Sequence, residues 1–418
     1  MKSLRIMSPG SLVLIAGVLM VAFTFMPPAT YEYYMREPSL MLGNPLLYLF
    51  IIGCMLVIWM GALIALRMPH PRVRLRSGWE RVPLVPVMYF AIPVLFSCGL
   101  LVLTVKTVLA NDPYILVLAL SGMGSEVKRA AGEASQGAFS GSLPLAMGVA
   151  WWTFAQYLKN RYVLSRRQSF VVASMLAVLT VSLLLAATLL MARFVIMPAL
   201  FGLALIYIRH KVVDQRQNIA SIVPKALMAV GIILAVFGLF SYFRTGGDGF
   251  YVVRSYIGYG PASVNHLAAL LEGRFNLEAL YGYLSQENFG FVLQFPLISR
   301  FTEGSADFSD NFYASFSQTW AAGLNGGFNW FTAIGAIYGQ LGVLAIPYLL
   351  MVGYLLGRLW KSFCAGGAMG ITVYPWFAFA LIFCFGSQMF GKNFTSMLLL
   401  LGIIMAGYSA VASLRVTR

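Results

Sequence analysis

Three arginines and one histidine are the residues of this 418-residue chain whose types could do chemistry. Arg193 interrupts two apolar runs in "LLMARFVIM", Arg254 opens the stretch "RSYIGYGPASVNHL", and Arg300 lies in "FPLISRFTEGSADFSDNF". A guanidinium group stays charged and donates paired hydrogen bonds to phosphate oxygens. The three arginines therefore predict a site for a diphosphate, although an arginine that only anchors the edge of an apolar layer explains Arg193 equally well.

His266 is the candidate general base, because a neutral imidazole can take a proton from a hydroxyl group. The alternative is an inert histidine on the face of an amphipathic helix. Five carboxylates compete for the same role, and the last three could instead pair with Arg300: Glu272, Glu287, Glu303, Asp307 and Asp310.

The composition is that of a membrane protein. Hydrophobic residues make up 60% of the chain and charged residues only 10%, and the mean hydropathy is +0.79. Soluble domains carry about 25% charged residues. Apolar runs of roughly twenty residues, the length that crosses a bilayer, predict an all-α polytopic protein. The ten predicted spans are centred on 11–26, 46–66, 84–106, 143–158, 169–190, 194–208, 226–243, 339–357, 371–390 and 394–413. The first span resembles a signal peptide, but no clear cleavage site follows it.

The distribution of charge predicts the orientation. Nineteen of the 29 Lys and Arg residues, and only two of the 14 acidic residues, fall in the termini and in alternate connecting segments. Cytoplasmic loops retain positive charge, so both termini are expected in the cytoplasm. These basic segments require only anionic lipid as a partner, which makes a nucleic-acid role the weaker interpretation.

The polar residues concentrate in the segments on the other side. We expect three parts: an N-terminal bundle (1–243) with an outer loop at 108–142, a large outer loop with short interfacial helices (244–338), and C-terminal spans (339–418). Acidic residues are absent from the middle of every predicted span, unlike in ion-coupled carriers. The four cysteines suggest neither a disulfide framework nor a metal site.

Aromatic residues and turn formers surround these candidates. Tyr256, Tyr259 and Tyr313 could pack against sugar rings, or could belong to the aromatic belt at a membrane interface. Gly260 and Pro261, together with Gly258, predict sharp backbone turns into a cavity.

Three segments resemble the Wzy-type oligosaccharide repeat-unit polymerases, the O-antigen and exopolysaccharide polymerases. They are "SYIGYGPASVNHL" (255–267), "LQFPLISRF" (293–301) and "NWFTAIGAIYGQLGVLAIPYLLMVGYLLGRLWK" (329–361). Arg193 matches a position where the family often carries arginine. The chain departs from the family at Gln340 and Leu341, where many members have Asp-Phe.

The resemblance implies a membrane glycosyltransferase of GT-C-like architecture in the bacterial inner membrane, with its active site on the periplasmic face. Such an enzyme transfers a growing glycan from undecaprenyl diphosphate to the non-reducing end of a lipid-linked repeat unit, with inversion. It needs no cofactor or metal, and a chain-length regulator is a possible partner. The implied catalytic residues are Arg193, Arg254, His266 and Arg300. The implied substrate-binding residues are Tyr256, Tyr259, Asn265, Glu303, Tyr313, Asn329 and Thr332.

Three other functions remain open. An O-antigen ligase uses similar chemistry but attaches the glycan to lipid A-core. A flippase for lipid-linked sugars would leave its substrate unchanged and would need polar residues at mid-depth in its spans. A membrane scaffold would need none of the arginines.

Overall fold

The computed structural model describes residues 2–69, 86–111, 114, 141–189, 193–218, 221, 223–244, 248–293 and 308–414. These residues form α-helices and short helical turns, and none of them lies in a strand. The helices are α1 (Pro9–Thr24), α2 (Pro28–Met35), α3 (Pro45–Arg67), α4 (Pro86–Asn111), α5 (Ser142–Asn160), α6 (Arg166–Leu189), α7 (Arg193–Arg209), α8 (Val223–Arg244), α9 (Gly249–Tyr259), α10 (Pro261–Leu271), α11 (Leu277–Leu293), α12 (Phe308–Ala321), α13 (Thr332–Leu341), α14 (Ala345–Ala365), α15 (Ala368–Ile382) and α16 (Asn393–Leu414).

The protein is a helical membrane protein, but fewer of its helices qualify as membrane spans than the ten that the sequence predicted. In the described part of the chain, seven helical stretches are long and apolar enough to cross a bilayer, or eight if the bent pair α1 and α2 is one span. All ten predicted spans coincide with helices, but α5 and α8 do not qualify. Helix α5 buries polar side chains, including Thr153 and Gln156, and the apolar part of α8 is the short stretch Val230–Tyr242.

A sharp bend separates α1 from α2. The two helices meet at 88°, and Pro28 begins α2 directly after Pro27. Proline has no backbone N–H and restricts the residue before it, so a helix rarely continues through such a pair. Arg36 then ends α2 in the left-handed conformation, with φ of 54°. The chain therefore turns again before Glu37.

Helix α15 lies at the centre of the bundle. Of the 18-residue stretch Ala368–Phe385, which contains α15 and the turn after it, 83% is buried, against 28% to 67% for the other candidate spans. It packs against five helices, α1, α5, α7, α14 and α16. Its sequence "AMGITVYPWFAFALI" is apolar on every side, as expected for a helix with no lipid-facing surface.

Helices α3 and α14 cross at very close range because glycines line the contact. A Cβ atom placed on Gly61 would overlap the carbonyl oxygen of Leu350, and one on Gly353 would overlap the carbonyl oxygen of Ile58. Gly357 meets Ala65 in the same way, so Gly353 and Gly357 form a Gly-x-x-x-Gly contact, the arrangement that lets membrane helices approach most closely. Dispersion contacts between the two backbones hold this pair together.

The segment predicted as a large loop folds into helices α9 to α13. Its helix α10 is enclosed by α1, α3, α9 and α13, and every residue from Pro261 to Leu270 is buried. Helix α10 therefore packs within the helices of the bundle. Gly258 differs from the prediction, since it lies inside α9 and packs against the ring of Phe328, whereas the turn itself falls at Gly260.

Candidate functional site

A buried carboxylate connects the first loop to helix α10. Glu37 is 4% exposed and accepts hydrogen bonds from four neighbours. We name this group the Glu37 cluster, and its members are Tyr31, Glu37, Asn265, His266 and Asn325. Three separate parts of the chain supply it: helix α2 with the second residue after it, helix α10, and the turn before α13.

The geometry of the Glu37 cluster is well defined. The His266 Nε2 atom lies 3.3 Å from each carboxylate oxygen of Glu37. Asn265 donates from Nδ2 to Glu37 Oε1 at 3.2 Å, the Tyr31 hydroxyl donates to the same oxygen, and the backbone N–H of Asn325 donates to Oε2. The carboxylate is therefore fully hydrogen-bonded inside the protein.

Asn265 and Asn325 also fix the backbone around the acid. Asn265 donates to the carbonyl of Pro38 at 3.0 Å, and its Oδ1 atom accepts from the N–H of Leu40 at 2.6 Å. Asn325 donates from Nδ2 to the carbonyl of Met35. Both amides thus satisfy backbone groups of the first loop that would otherwise be buried without partners, and this loop is attached firmly to α10.

The environment of Glu37 keeps the carboxyl group charged. Burial raises the pKa of Glu37, but the charge and hydrogen bond of His266, with the hydrogen bonds from Tyr31 and Asn325, lower it by more. The net result is a pKa below the ordinary value of 4.5. A carboxylate that accepts several hydrogen bonds behaves in this way because each donor favours the ionised form.

His266 has one ring nitrogen in use and one without a partner. The side chain is completely buried, and Nδ1 has no hydrogen-bond partner within the part of the chain that the structure describes. The ring of Phe331 is its nearest aromatic contact, with the centroids 6.3 Å apart. A buried nitrogen of this kind is unusual, since the great majority of buried polar atoms are paired.

Two of the segments that carry the family resemblance pack against each other. Tyr259 meets Trp330 with the ring centroids 4.2 Å apart. A Cβ atom on Gly335 would lie only 3.0 Å from Leu267, and Gly258 accommodates the ring of Phe328. Segments 255–267 and 329–340 therefore form one unit with the Glu37 cluster at its buried end.

Arg254 is the one predicted arginine whose side chain the structure describes. It lies half-buried on α9, and its guanidinium carbon is 5.8 Å from the ring centroid of Tyr251 and 5.9 Å from that of Phe328. Its Nε atom is buried and has no hydrogen-bond partner among the described residues. Aromatic faces favour a cation, and the unpaired N–H is suited to an anionic group.

The other described candidates make contacts within the protein. The Tyr256 hydroxyl donates to the carbonyl of Leu234 at 2.6 Å, which attaches α9 to α8. Asn329 donates to the Ser315 hydroxyl at 2.7 Å. These two side chains stabilise the arrangement of helices.

Thr332 stabilises the start of α13. It has a φ of 64°, uncommon for a β-branched residue, and its hydroxyl accepts from the N–H of Gly335 at 3.0 Å. The hydroxyl thus satisfies one of the free N–H groups at a helix start. Like Tyr256 and Asn329, Thr332 therefore stabilises the fold.

Several predicted residues lie outside the described part of the chain. Arg300 and Glu303 belong to the segment 294–307, and Asp307 lies there too. Arg193 begins α7 and Tyr313 lies in α12, but their side chains, like that of Asp310, are outside the description. The predicted grouping of three arginines therefore remains a prediction.

The two remaining carboxylates are paired with cations. Glu272 forms an ion pair with Arg274 at 2.7 Å, and both side chains are more than one-third exposed. Glu287 pairs with Lys392 and accepts from the Ser387 hydroxyl at 3.2 Å. Neither of them contacts His266.

Glu37 is the residue that the sequence analysis missed. In the sequence, Glu37 is only a single acidic residue in "YYMREPSLM", close to an apolar run. The arginine beside it suggests an ordinary ion pair at the surface. Asn325, in "GLNGGFNW", carried no signal beyond that of a turn. Their importance arises from contacts 228 residues apart for Glu37 and Asn265 and 288 residues apart for Glu37 and Asn325.

No set of residues in the described part of the chain resembles a metal site. Among these residues there is no group of three or more His, Cys, Asp and Glu side chains that could hold a metal ion. The chain matches no protein-family model, no curated protein sequence and no solved structure. The site is therefore interpreted from its own chemistry.

Proposed function

We propose that this protein is a membrane glycosyltransferase that polymerises lipid-linked oligosaccharides. The donor is a glycan on a polyprenyl diphosphate such as undecaprenyl diphosphate, and the acceptor is the non-reducing end of a second lipid-linked repeat unit. One observation supports the proposal most: two of the three segments that resemble the polymerase family pack against each other as one unit, and one of them supplies the histidine of a buried His–carboxylate pair.

The residues of this unit have chemistry suited to the reaction. His266 would accept the proton of the acceptor hydroxyl. Arg254, with its buried and unpaired Nε, would stabilise the charge that develops on the departing diphosphate, a contribution that is often the largest in such reactions. Arg193 and Arg300 are proposed as further contacts to that diphosphate.

The proposed reaction is a single transfer of the glycan from the diphosphate to the acceptor hydroxyl. The acceptor oxygen attacks the anomeric carbon, its proton passes to the base, and the bond between that carbon and the diphosphate oxygen breaks with its electrons on the leaving group. Attack from the side opposite the leaving group inverts the anomeric centre.

The decisive experiment is polymerisation by the purified protein. We expect the protein in lipid nanodiscs, supplied with lipid-linked repeat units, to produce a ladder of glycans that remain on polyprenyl diphosphate. A single capped product on lipid A-core would instead identify a ligase. Substrate that crosses the bilayer chemically unchanged would identify a flippase.

Arg254→Ala should abolish the ladder while the protein remains in the membrane. Arg274→Ala is the matched control, because Arg274 lies in the same part of the chain but is exposed and paired with Glu272. If the Arg254 variant still makes full-length polymer, the role proposed for this guanidinium fails.

We also propose that helices α9 to α13 face the periplasm. A cysteine at Tyr281, which is 62% exposed, should react with an impermeant maleimide in intact cells when the four natural cysteines are replaced. A cysteine at Tyr162, 72% exposed between α5 and α6, should react only after the cells are opened. The opposite pattern would refute the topology.

A further inference from the structure

We propose that Glu37 is a positioning residue for His266: it holds the imidazole in the tautomer that leaves Nδ1 free to accept a proton from a ligand hydroxyl. The inference rests on the proposed function for the identity of that hydroxyl, which would belong to the acceptor sugar. The assignment of the tautomer itself rests only on the contacts of the Glu37 cluster.

The first step of the argument concerns the direction of the hydrogen bonds. An ionised carboxylate can only accept. Tyr31, Asn265 and the N–H of Asn325 all donate to the Glu37 carboxylate, and several donors favour its ionised form. The Nε2 atom of His266, 3.3 Å from the same carboxylate, must therefore be a donor too.

The second step follows from imidazole chemistry. A neutral imidazole carries one proton, so a proton on Nε2 leaves a lone pair on Nδ1. This atom is buried, and it has no partner in the described residues. The lone pair of Nδ1 can therefore accept a proton, whereas Nε2 cannot.

A second histidine in the same chain shows that an unpaired nitrogen is not a general property of its histidines. His210 has Nδ1 at 2.9 Å from Asp214 Oδ2, and its Nε2 lies 3.3 Å from Gln215 Nε2. Both of its ring nitrogens have neighbours within the protein. His266 differs, because its partner Glu37 uses only Nε2.

The proton transfer balances without any further reactant. The hydroxyl proton moves to Nδ1 as the hydroxyl oxygen bonds to the anomeric carbon, and the diphosphate leaves with the electron pair. Because His266 has no exposed surface, the proposed transfer would need one bridging water between the hydroxyl and Nδ1, as a general base allows. Glu37 does not take the proton; it stabilises the imidazolium that forms.

The direct test is nitrogen NMR of the imidazole. The chain has three histidines, so His70→Gln with His210→Gln leaves His266 as the single ¹⁵N-histidine signal in protein held in nanodiscs. At a pH where the ring is neutral, we expect Nε2 to be protonated and Nδ1 to be unprotonated. A neutral ring with its proton on Nδ1 would overturn the proposal, and this measurement needs no substrate.

Glu37→Gln tests the role of the carboxylate, since its amide N–H₂ can donate to Nε2 and so favours the other tautomer. We expect the NMR signal to show protonation of Nδ1, and kcat to fall about 100-fold or more with KM little changed. Glu37→Asp should restore the original tautomer and part of kcat. Asp214→Asn, at the other histidine pair, should change neither.

The two proposals fail in distinguishable ways. If wild-type protein makes no polymer but the NMR shows the expected tautomer, the proposed function is wrong and the role of Glu37 as orienting residue stands. If wild-type protein polymerises and folded Glu37→Gln keeps full kcat with an unchanged pH profile, the role of Glu37 is wrong and the polymerase stands.

Discussion

Two histidine–carboxylate pairs in this chain look alike in composition but differ in everything that surrounds them. His210 and Asp214 are four residues apart in one helical turn, and the Asp214 side chain is 32% exposed. His266 and Glu37 are 229 residues apart, and both side chains are completely buried. The first pair forms wherever that turn forms, whereas the second requires the whole bundle.

The two pairs also belong to different parts of the bundle. Arg209, which shares Asp214 with His210, donates to the carbonyls of Phe363 and Cys364 at the end of that helix. The Glu37 cluster includes Asn325, in the turn before α13, and α13 leads into the start of α14. The two pairs share no residue and no helix, since His210 and Asp214 follow α7 whereas His266 lies in α10.

The comparison teaches that exposure and partner number decide what such a pair can do. His210 has neighbours at both ring nitrogens, and water screens the charge of Asp214. This pair therefore has a structural role: it stabilises the turn after α7 and, through Arg209, connects that turn to α14. The pair at His266 is unscreened and leaves one nitrogen unused. Burying the charged Glu37 carboxylate is costly, so we expect this pair to have a role beyond stability.

The largest expected difference is in catalysis. Replacing the proposed base by His266→Gln should lower kcat by about 10²-fold to 10⁴-fold, the usual contribution of a general base. His210→Gln should leave kcat within about twofold of wild type, because a structural role in the turn after α7 does not act on the transition state. Polymerisation assays of the two purified variants give both kcat values. An equal loss of kcat in the two variants would contradict the difference that we propose between the two pairs.

Stability should separate the pairs next. Glu37→Ala leaves His266 and three other donors without their acceptor, and breaking a buried pair in this way costs about 3 to 5 kcal/mol. Asp214→Ala removes a partly exposed acid and should cost no more than about 1 kcal/mol. Unfolding of the two variants in the same mixed micelles gives the free energies, and a cost for Asp214→Ala as large as for Glu37→Ala would contradict the comparison.

A glycine variant tests whether a loss of stability alone can reproduce the effect of replacing Glu37. Gly353→Ala should cost about 1 to 3 kcal/mol by overpacking, because its Cβ would overlap the carbonyl oxygen of Ile58. Gly53→Ala, where a Cβ meets nothing within 4 Å, is the control. We expect Gly353→Ala to lower the Tm yet retain the wild-type pH profile of kcat, unlike Glu37→Gln.

The smallest effect is on the pH dependence of stability. Because the folded-state pKa of Glu37 is lowered from 4.5, its contribution is complete above that value and is lost as pH falls through the lowered folded pKa. Wild-type protein should therefore lose Tm below pH 4.5, and Glu37→Gln should lose less over the same range. Identical acid profiles would show that Glu37 does not carry this charge in the folded protein.

The helices were predictable because their signals are local. The apolar runs that predicted ten spans can be read along the chain, and each of them coincides with a helix. Their burial could not be predicted, since an apolar face does not reveal whether lipid or protein covers it.

The sequence by itself determined that this is a helical membrane protein with its polar residues gathered in the connecting segments. Hydropathy is a sum over neighbouring residues, so twenty apolar residues in a row are enough to decide it. Only the tertiary structure decided that Glu37, rather than Glu272 or Glu287, faces His266. Pairing across 229 residues depends on how helices from distant parts of the chain pack together, and no local pattern of residues encodes that contact.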